Sequence, residues 1–252
     1  MKSILITGAS RGIGRSIALE AARSGNYNRI IINCHKNISL LDSVQKEIRK
    51  IFDENLHYYN NVHTEPLCLT SVGDVGDLSY VETLHTEIGS VEHVVNNSAL
   101  SITGLLTDMT PSEWDLIVKT NLTSIYNTCH TFAPDMIKER HGKIINISSV
   151  WGIVGASCEV AYSATKGAVN AFTKALAKEL APNNIQVNAA ALGIADTDMN
   201  SHLTPEDKSD IIEDIPAGYI MSPDEAGRAV IKLLEMPDYF TGEIIKLDGG
   251  WQ

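Results

Sequence analysis

Short apolar runs rich in β-branched residues alternate along this chain with longer segments of helical period. Seven of the runs are typical of strands: SILIT, RIIINC, PLCLTS, HVVNN, KIINISS, IQVNAAA and EIIKL. Helical segments are predicted between them, beginning near Gly12, Leu40, Asp77, Pro111, Val160 and Pro223. The alternation predicts an α/β fold: a doubly wound parallel sheet of about seven strands with helices on both faces.

Composition narrows the choice of partners. A chain of 252 residues with 44% hydrophobic content is long enough for one domain over residues 1–252. The net charge of −11 argues against nucleic acid or an anionic membrane as the partner and favours a small molecule. Because no apolar run has the length of a signal-peptide core or a membrane span, a cytoplasmic protein is expected. The polar segment from Glu54 to Glu65 is predicted to be a surface loop.

The cysteines and histidines indicate no metal. The four cysteines are scattered and lack a CxxC spacing, which predicts reduced thiols. The eight histidines form no HExxH pattern, so no structural metal is expected.

A glycine-rich stretch follows the first strand. TGASRGIG runs from Thr7 to Gly14, and Gly8, Gly12 and Gly14 allow a sharp turn and a close approach to a ligand. The helix that follows would direct free N–H groups at an anion. The spacing is not GxGxxG, and such a turn is sometimes only a tight connection. Its position between the first strand and the first helix favours a dinucleotide site, which also includes Ser10, Arg11 and Ile13.

The end of the second strand bears on the choice of cofactor. No acidic residue stands there to accept ribose hydroxyls, whereas Asn33 is followed by His35 and Lys36. With Arg11 in the glycine turn, a 2′-phosphate would meet cations, so NADP(H) is predicted over NAD(H). The alternative is that His35 and Lys36 are ordinary solvated side chains.

The fifth strand and the following helix carry the candidate chemistry. KIINISS brings Ser149 to the carboxyl edge of the sheet, and AYSATKG places Tyr162 and Lys166 four residues apart on one helix face. Taken alone, this pair is also typical of a core tyrosine beside a snorkelling lysine.

Several motifs in register decide between these interpretations. TGASRGIG, NNSA at 96–99, KTNLTS, INISS, YSATK, IQVNAAALG and TGEIIKLDGGW resemble, in order and spacing, the short-chain dehydrogenase/reductase family. The resemblance covers essentially the whole chain and implies one Rossmann-like, dinucleotide-binding and catalytic domain. It also implies a catalytic tetrad of Asn121, Ser149, Tyr162 and Lys166.

The family's chemistry implies a role for each member of the tetrad. Tyr162 would protonate the oxygen of a ketone whose carbon receives a hydride. The ammonium of Lys166 would lower the pKa of the phenol, and the side chain would also bind the cofactor ribose. Ser149 would polarise the carbonyl, and Asn121 would hold a water that links Lys166 to solvent.

The resemblance assigns further residues to the cofactor. Asp74 would meet the adenine amino group, Asn96 the adenosine ribose and Thr197 the carboxamide. The other implied cofactor residues are Val75, Asn97, Ser98, Tyr162, Lys166 and Gly193. The chain departs from the family at NNSA, where relatives have NNAG, and at Leu192, where they have proline. These departures put cofactor affinity in doubt more than chemistry.

The substrate is left open between two ketones. The chain resembles the 3-oxoacyl-[acyl-carrier-protein] reductases, and Arg140 matches one carrier-binding arginine, although Asn183 stands at the second position. The stretch from Ser148 through YSATKGA is also similar to enzymes that reduce a 5-aminopentanone group on elongation factor P.

If the substrate is the 5-aminopentanone group, four residues that precede Tyr162 would have a role at the active site. Trp151, Ser157, Cys158 and Glu159 would lie beside the active site, where Glu159 could bind an amine. The alternative for Glu159 is a carboxylate that favours the helix dipole. A third hypothesis, a non-catalytic NADP(H)-binding scaffold or sensor, is opposed by the intact tetrad. The resemblance further implies a homotetramer built on the helices from Pro111 and Val160.

Overall fold

The computed structural model describes residues 2–55 and 66–252, and its strands form one parallel sheet. The sheet has seven strands in the order β3-β2-β1-β4-β5-β6-β7. The strands are Lys2–Ile6 (β1), Tyr27–Cys34 (β2), Leu67–Val72 (β3), His93–Asn96 (β4), Gly142–Ser149 (β5), Ile185–Leu192 (β6) and Ile244–Leu247 (β7). The strand order reverses between β1 and β4, and open α/β sheets bind ligands at the carboxyl edge beside such a reversal.

Helices cover both faces of this sheet. They are Gly12–Arg23 (α1), Ile38–Glu54 (α2), Leu78–Ile88 (α3), Pro111–Val118 (α4), Ser124–Glu139 (α5), Trp151–Val154 (α6), Val160–Leu180 (α7), Pro205–Asp214 (α8) and Pro223–Glu235 (α9). A π-helical turn, Lys119–Thr123, joins α4 to α5, and 3-10 turns span Ala181–Asn183 and Asp198–Asn200. Within the described ranges, no helix is long and apolar enough to cross a membrane.

Two apolar cores follow from the alternation of side chains along each strand. Ile4 and Ile6 of β1 pack with α1, α2 and α9 on one face, whereas Leu5 packs with α3, α5 and α7 on the other. The central strands are buried on both faces, which explains why they read as continuous apolar runs. The predicted fold class is therefore confirmed.

The helix predictions agree at most boundaries. The predicted start at Leu40 differs from the observed Ile38 by two residues, and Asp77 is the N-cap of α3. The segment that begins at Pro111 is interrupted by the π-helical turn. Short α6 and the separate α8 were not predicted. Of the predicted surface loop, Glu54 ends α2, and residues 56–65 lie outside the described residues.

Candidate active site

The glycine turn after β1 is built so that no side chain fills it. Gly8 and Gly12 have φ values of +65° and +54°. A Cβ on Gly14 would lie 2.3 Å from the Gly8 carbonyl oxygen and 2.5 Å from Asn97 Nδ2. Asn97 donates hydrogen bonds to the carbonyls of Thr7 (3.0 Å) and Gly8 (3.2 Å), which ties the end of β4 to the turn. The glycines therefore allow a tightly packed cradle with a fixed backbone.

The N-terminus of α1 stands at this cradle without a side-chain cap. Arg11 is the N-cap residue but makes no capping hydrogen bond, and the first turn contains no acidic residue. By contrast, Thr110, Thr204 and Ser222 close capping boxes on α4, α8 and α9. The free N–H groups at this N-terminus fit the pyrophosphate of a dinucleotide. Ser10 is buried in the turn, and Ile13 packs against the core below it.

The ends of β2 and β3 bring charged side chains together beside the cradle. Asp74 accepts hydrogen bonds from Lys119 Nζ (2.7 Å) and from the Gly76 N–H (2.8 Å). Burial raises the pKa of Asp74, but these bonds and the charge of Lys119 outweigh burial, and the pKa lies below its usual value. His35 contributes to the same effect, so it lies near this carboxylate. His35 and Lys36 are both exposed.

Two residues predicted to belong to the cofactor site have buried side chains that are hydrogen-bonded to other parts of the protein. Asn33 is 1% exposed, and its amide donates to the hydroxyl of Tyr80 (2.9 Å) and the carbonyl of Gly73 (3.2 Å). Asn96 is 4% exposed and donates to Asn146 Oδ1 at 2.9 Å. Both side chains are therefore held by other groups of the protein, and their place in the cofactor site stays a prediction.

Two other predicted residues support the site through their backbones. The Ser98 N–H donates to Thr7 Oγ1 at 3.1 Å, and Ser98 packs against Gly8. Val75 is buried beneath Asp74, and its carbonyl accepts from Asn127 Nδ2 at 3.0 Å. These contacts fix the loops that follow β3 and β4.

The segment after β6 crosses to the glycine turn. Gly193 is needed because a Cβ there would lie 2.9 Å from the Cα of Asp248. Thr197 Cγ2 would lie 3.4 Å from a Cβ on Gly12, so Thr197 reaches the cradle. Arg11 forms an exposed ion pair with Asp198 at 3.2 Å across the same gap. Leu192, where relatives have proline, extends β6 and pairs with Ser149 of β5.

Ser149, Tyr162 and Lys166 meet at the carboxyl edge of β5. Ser149 is buried, and its Oγ accepts from the Trp151 N–H at 3.2 Å. Lys166 Nζ lies 5.5 Å from the centre of the Tyr162 ring, so the two side chains share one face of α7. The same Nζ donates to the carbonyl of Ile147 at 2.7 Å. The structure thus brings these three predicted residues together.

The electrostatics of the pair differ from the expectation. Lys166 is 2% exposed, and burial lowers its pKa to about 8. Burial raises the pKa of Tyr162 above its usual value, the nearby carboxylate of Glu159 raises it further, and a hydrogen bond with Ser149 acts in the opposite direction. The net shift of the Tyr162 pKa is therefore upward although Lys166 lies beside the ring, and the Lys166 Nζ is bonded to the Ile147 carbonyl.

Asn121 lies in the π-helical turn and is fully buried. Its Oδ1 accepts from the Leu100 N–H at 2.8 Å, and its Nδ2 donates to the Leu100 carbonyl (2.9 Å) and to Thr165 Oγ1 (3.2 Å). Both amide hydrogens are therefore used, and one lone pair of Oδ1 remains for a water. The side chain links the loop after β4 to α7.

Two residues that support the site at the carboxyl edge of the sheet were not predicted from the sequence. Lys119 pairs with Asp74 from 45 positions away, and no local signal marks it. Thr7 accepts hydrogen bonds from the N–H groups of Asn97 and Ser98, and its place directly before Gly8 was the available signal. No group of three or more histidine, cysteine, aspartate or glutamate residues positioned for a metal occurs in the described part of the chain.

The cradle, the uncapped helix and the serine–tyrosine–lysine cluster lie along one carboxyl edge, which is the arrangement of a dinucleotide-binding oxidoreductase. The sequence model for "short chain dehydrogenase" matches residues 2–208. The chain belongs to this family, whose members bind a nicotinamide cofactor.

Named relatives span nearly the full length. The chain is 36% identical over 252 residues to "Uncharacterized oxidoreductase YmfI" of Bacillus subtilis (strain 168), covering 99% of this chain and 98% of the relative. It is 36% identical over 250 residues to 3-oxoacyl-[acyl-carrier-protein] reductase FabG of Aquifex aeolicus (strain VF5), covering 99% and 96%. A structure of a 3-oxoacyl-[acyl-carrier protein] reductase with bound NAD from Brucella melitensis has a TM-score of 0.87 at 29% identity, covering 100% of this chain and 91% of that one.

Proposed function

We propose that the protein is an NADPH-dependent carbonyl reductase that transfers hydride to a ketone, of the 3-oxoacyl-[acyl-carrier-protein] reductase type. The observation that carries this proposal is that Ser149 at the end of β5 meets Tyr162 and Lys166 of α7 at the same sheet edge as the glycine cradle. When bound, the reduced nicotinamide supplies the hydride. The chain's own residues would bind the ketone oxygen and protonate it.

The protonated phenol of Tyr162 can serve as the proton donor in ketone reduction. A phenol with a raised pKa keeps its proton at neutral pH and is a donor rather than a base. The oxygen of a ketone that accepts hydride becomes an alkoxide, a far stronger base than a phenolate, so proton transfer from Tyr162 remains downhill. The Ser149 hydroxyl hydrogen-bonds the same oxygen, and the ammonium of Lys166 stabilises the phenolate that is left.

The choice of NADPH rests on the charges around the cradle. Arg11, His35 and Lys36 are exposed there, and no carboxylate ends β2. Asp74 is paired with Lys119 and lies on the loop after β3, and Asp198 is paired with Arg11. A 2′-phosphate would therefore find the cations Arg11 and Lys36 and the hydrogen-bonding ring of His35, whereas ribose hydroxyls would find no carboxylate acceptor on β2.

Carrier-bound substrate is supported by the names of the relatives and by Arg140. This residue ends α5 with φ of +50°, and its guanidinium donates to the Pro182 carbonyl at 3.2 Å. Arg140 and Asn183 thus share one surface, where the carrier-protein reductases would present two cations and this chain presents one. A carrier protein would be held less firmly here.

Glu159 favours a second candidate substrate, the 5-aminopentanone group on elongation factor P. Its carboxylate is half-buried, accepts from Ser101 Oγ at 2.8 Å and does not cap α7. Its charge reaches the phenol of Tyr162, whose pKa it raises. A ketone that carries an ammonium would be complementary to this carboxylate, and an acyl thioester would gain nothing from it.

The test is NADPH oxidation with an acyl-carrier thioester and with modified elongation factor P, compared as kcat/KM. Glu159→Gln should lower kcat/KM for the amine-bearing substrate at least tenfold and leave the thioester unchanged if the second substrate is correct. Glu179→Gln, an exposed carboxylate on α7, is the matched control. If the protein reduces neither substrate and no generic β-ketoester, that result would favour the non-catalytic scaffold or sensor.

The assembly proposed with this function is a homotetramer in the cytoplasm. Apolar side chains on the outer surfaces of the helical segments from Pro111 and Val160 support it: Trp114, Tyr126 and Val160 are 39%, 48% and 42% exposed. Exposed large apolar side chains on neighbouring helices are typical of interfaces. Native mass spectrometry tests the proposal, and a monomer at micromolar concentration would contradict it.

A further inference from the structure

The last residues of the chain lie against the turn that follows Ser149. The rings of Trp151 and Trp251 are 4.9 Å apart, centre to centre, with their planes inclined at 60°. Both side chains are half-buried. An aromatic pair at this distance contributes attraction beyond the area it buries. Nothing in the function proposed above uses Trp251.

Trp151 connects this pair to the catalytic cluster. It begins α6, and its backbone N–H donates to the hydroxyl of Ser149 at 3.2 Å. The next residue, Gly152, is packed so closely on α7 that a Cβ there would lie 2.5 Å from the carbonyl carbon of Lys166. Helix α6 is thus held between the C-terminal residues on one side and the Lys166 turn on the other.

The C-terminal residues are anchored well enough to hold Trp251 in place. The Asp248 side chain is 5% exposed and accepts from the N–H groups of Gly250 (3.0 Å) and Gln252 (2.9 Å). Gly249 and Gly250 both have positive φ, and a Cβ on Gly249 would lie 2.9 Å from Ala217 Cβ. Lys246 forms an ion pair with Asp248 at 3.3 Å. This is a built turn that directs Trp251 onto Trp151.

We propose that Trp251 is a positioning residue for ketone reduction: through Trp151 it fixes the α6 turn whose amide orients the Ser149 hydroxyl toward the substrate oxygen. The inference rests on the proposed function, since it concerns the same serine. A positioning role follows because Ser149 must direct its hydrogen bond at one point in space, and small displacements of such groups cost large factors in rate. The glycine cradle lies at the ends of β1 and β4, whereas Trp151 follows the end of β5.

The experiment compares Trp251→Ala, Trp251→Phe and the control Gln252→Ala, which removes only an exposed side chain. Trp251→Ala should lower kcat about tenfold with an unchanged Kd for NADPH. Trp251→Phe should restore most of the rate, because a ring still packs on Trp151. Amide hydrogen exchange over residues 149–154 should be faster in Trp251→Ala and unchanged in Gln252→Ala.

Several outcomes overturn the inference. They are an unchanged kcat in Trp251→Ala, an equal loss in Gln252→Ala, or unchanged exchange over 149–154. If Trp251→Ala does not fold, Trp251→Leu, which keeps apolar volume without a ring, is judged by the same criteria. If the wild type reduces no ketone, the proposed function fails by itself. In that case the hydrogen-exchange comparison decides whether the C-terminal contact holds the turn after Ser149. Circular dichroism supports it if the tryptophan exciton signal is lost in Trp251→Phe but not in Trp114→Phe.

Discussion

Replacing Lys166 by methionine should stabilise the fold more at neutral pH than at alkaline pH. Lys166 is 2% exposed, and burial lowers its pKa from 10.5 to about 8. The ammonium is therefore less stable in the folded chain than in the unfolded chain, where water solvates it. Methionine retains the apolar stem and removes the charge. A residue kept for chemistry would thus reduce the stability of the protein that carries it.

The size of this effect on the free energy of unfolding follows from the pKa shift of Lys166. Between about pH 8 and 10.5 the unfolded chain binds more protons at Lys166 than the folded chain, so the contribution of this residue to the free energy of unfolding rises with pH across that window. At about 1.4 kcal/mol per pKa unit, the penalty is about 3 kcal/mol at pH 7 and about 1 kcal/mol at pH 10. The lost hydrogen bond to Ile147 offsets part of the gain at both pH values.

Urea denaturation at pH 7 and pH 10 measures this difference. The free energy of unfolding of Lys166→Met minus that of the wild type should be about 2 kcal/mol larger at pH 7 than at pH 10. Lys174→Met, an exposed lysine on the same helix, is the matched control and should show no such pH dependence. A Lys166→Met difference that is the same at both pH values would refute the burial argument.

Three further predictions concern the cofactor and the serine. Gly14→Ala should weaken NADPH binding at least tenfold, because its Cβ would overlap the Gly8 carbonyl; calorimetry measures this, and wild-type affinity would contradict it. Lys36→Glu should weaken NADPH about tenfold and leave NADH unchanged, and an equal loss for both would remove Lys36 from 2′-phosphate recognition. Ser149→Ala should lower kcat about a hundredfold in initial-rate assays while NADPH binding persists; a smaller effect than that of Trp251→Ala would contradict the assignment.

The sheet and the glycine cradle could be predicted because their signals are local. Each strand is a short apolar run, and the glycines stand at the turn that needs them. The π-helical turn at Lys119–Thr123 could not be predicted, because the helical period of the sequence continues through it. Its cause is tertiary, since Asn121 bonds Leu100 and Thr165. Helix α8 did carry a local signal, the capping box of Thr204 and Asp207 with Pro205 between them.

Within the site, motif resemblance identified positions but not side-chain directions. Asn33 lies two residues after Ile31 on β2, and Asn96 two residues after Val94 on β4, so each points to the same sheet face as that core residue. A side chain within a strand faces a layer of helices, and a sequence motif does not reveal which residues near the strand end reach the sheet edge, as Ser149 does at the end of β5. The depressed pKa of Lys166 is likewise a property of burial, which spacing does not reveal.

The rate of NADPH oxidation by a ketone, measured for the wild type and Tyr162→Phe together with the Kd for NADPH, tests whether Tyr162 is the proton donor. We predict that the variant loses at least about a thousandfold in kcat, because the proton donor is removed, and binds NADPH as the wild type does. A variant that keeps most of the wild-type kcat would contradict it.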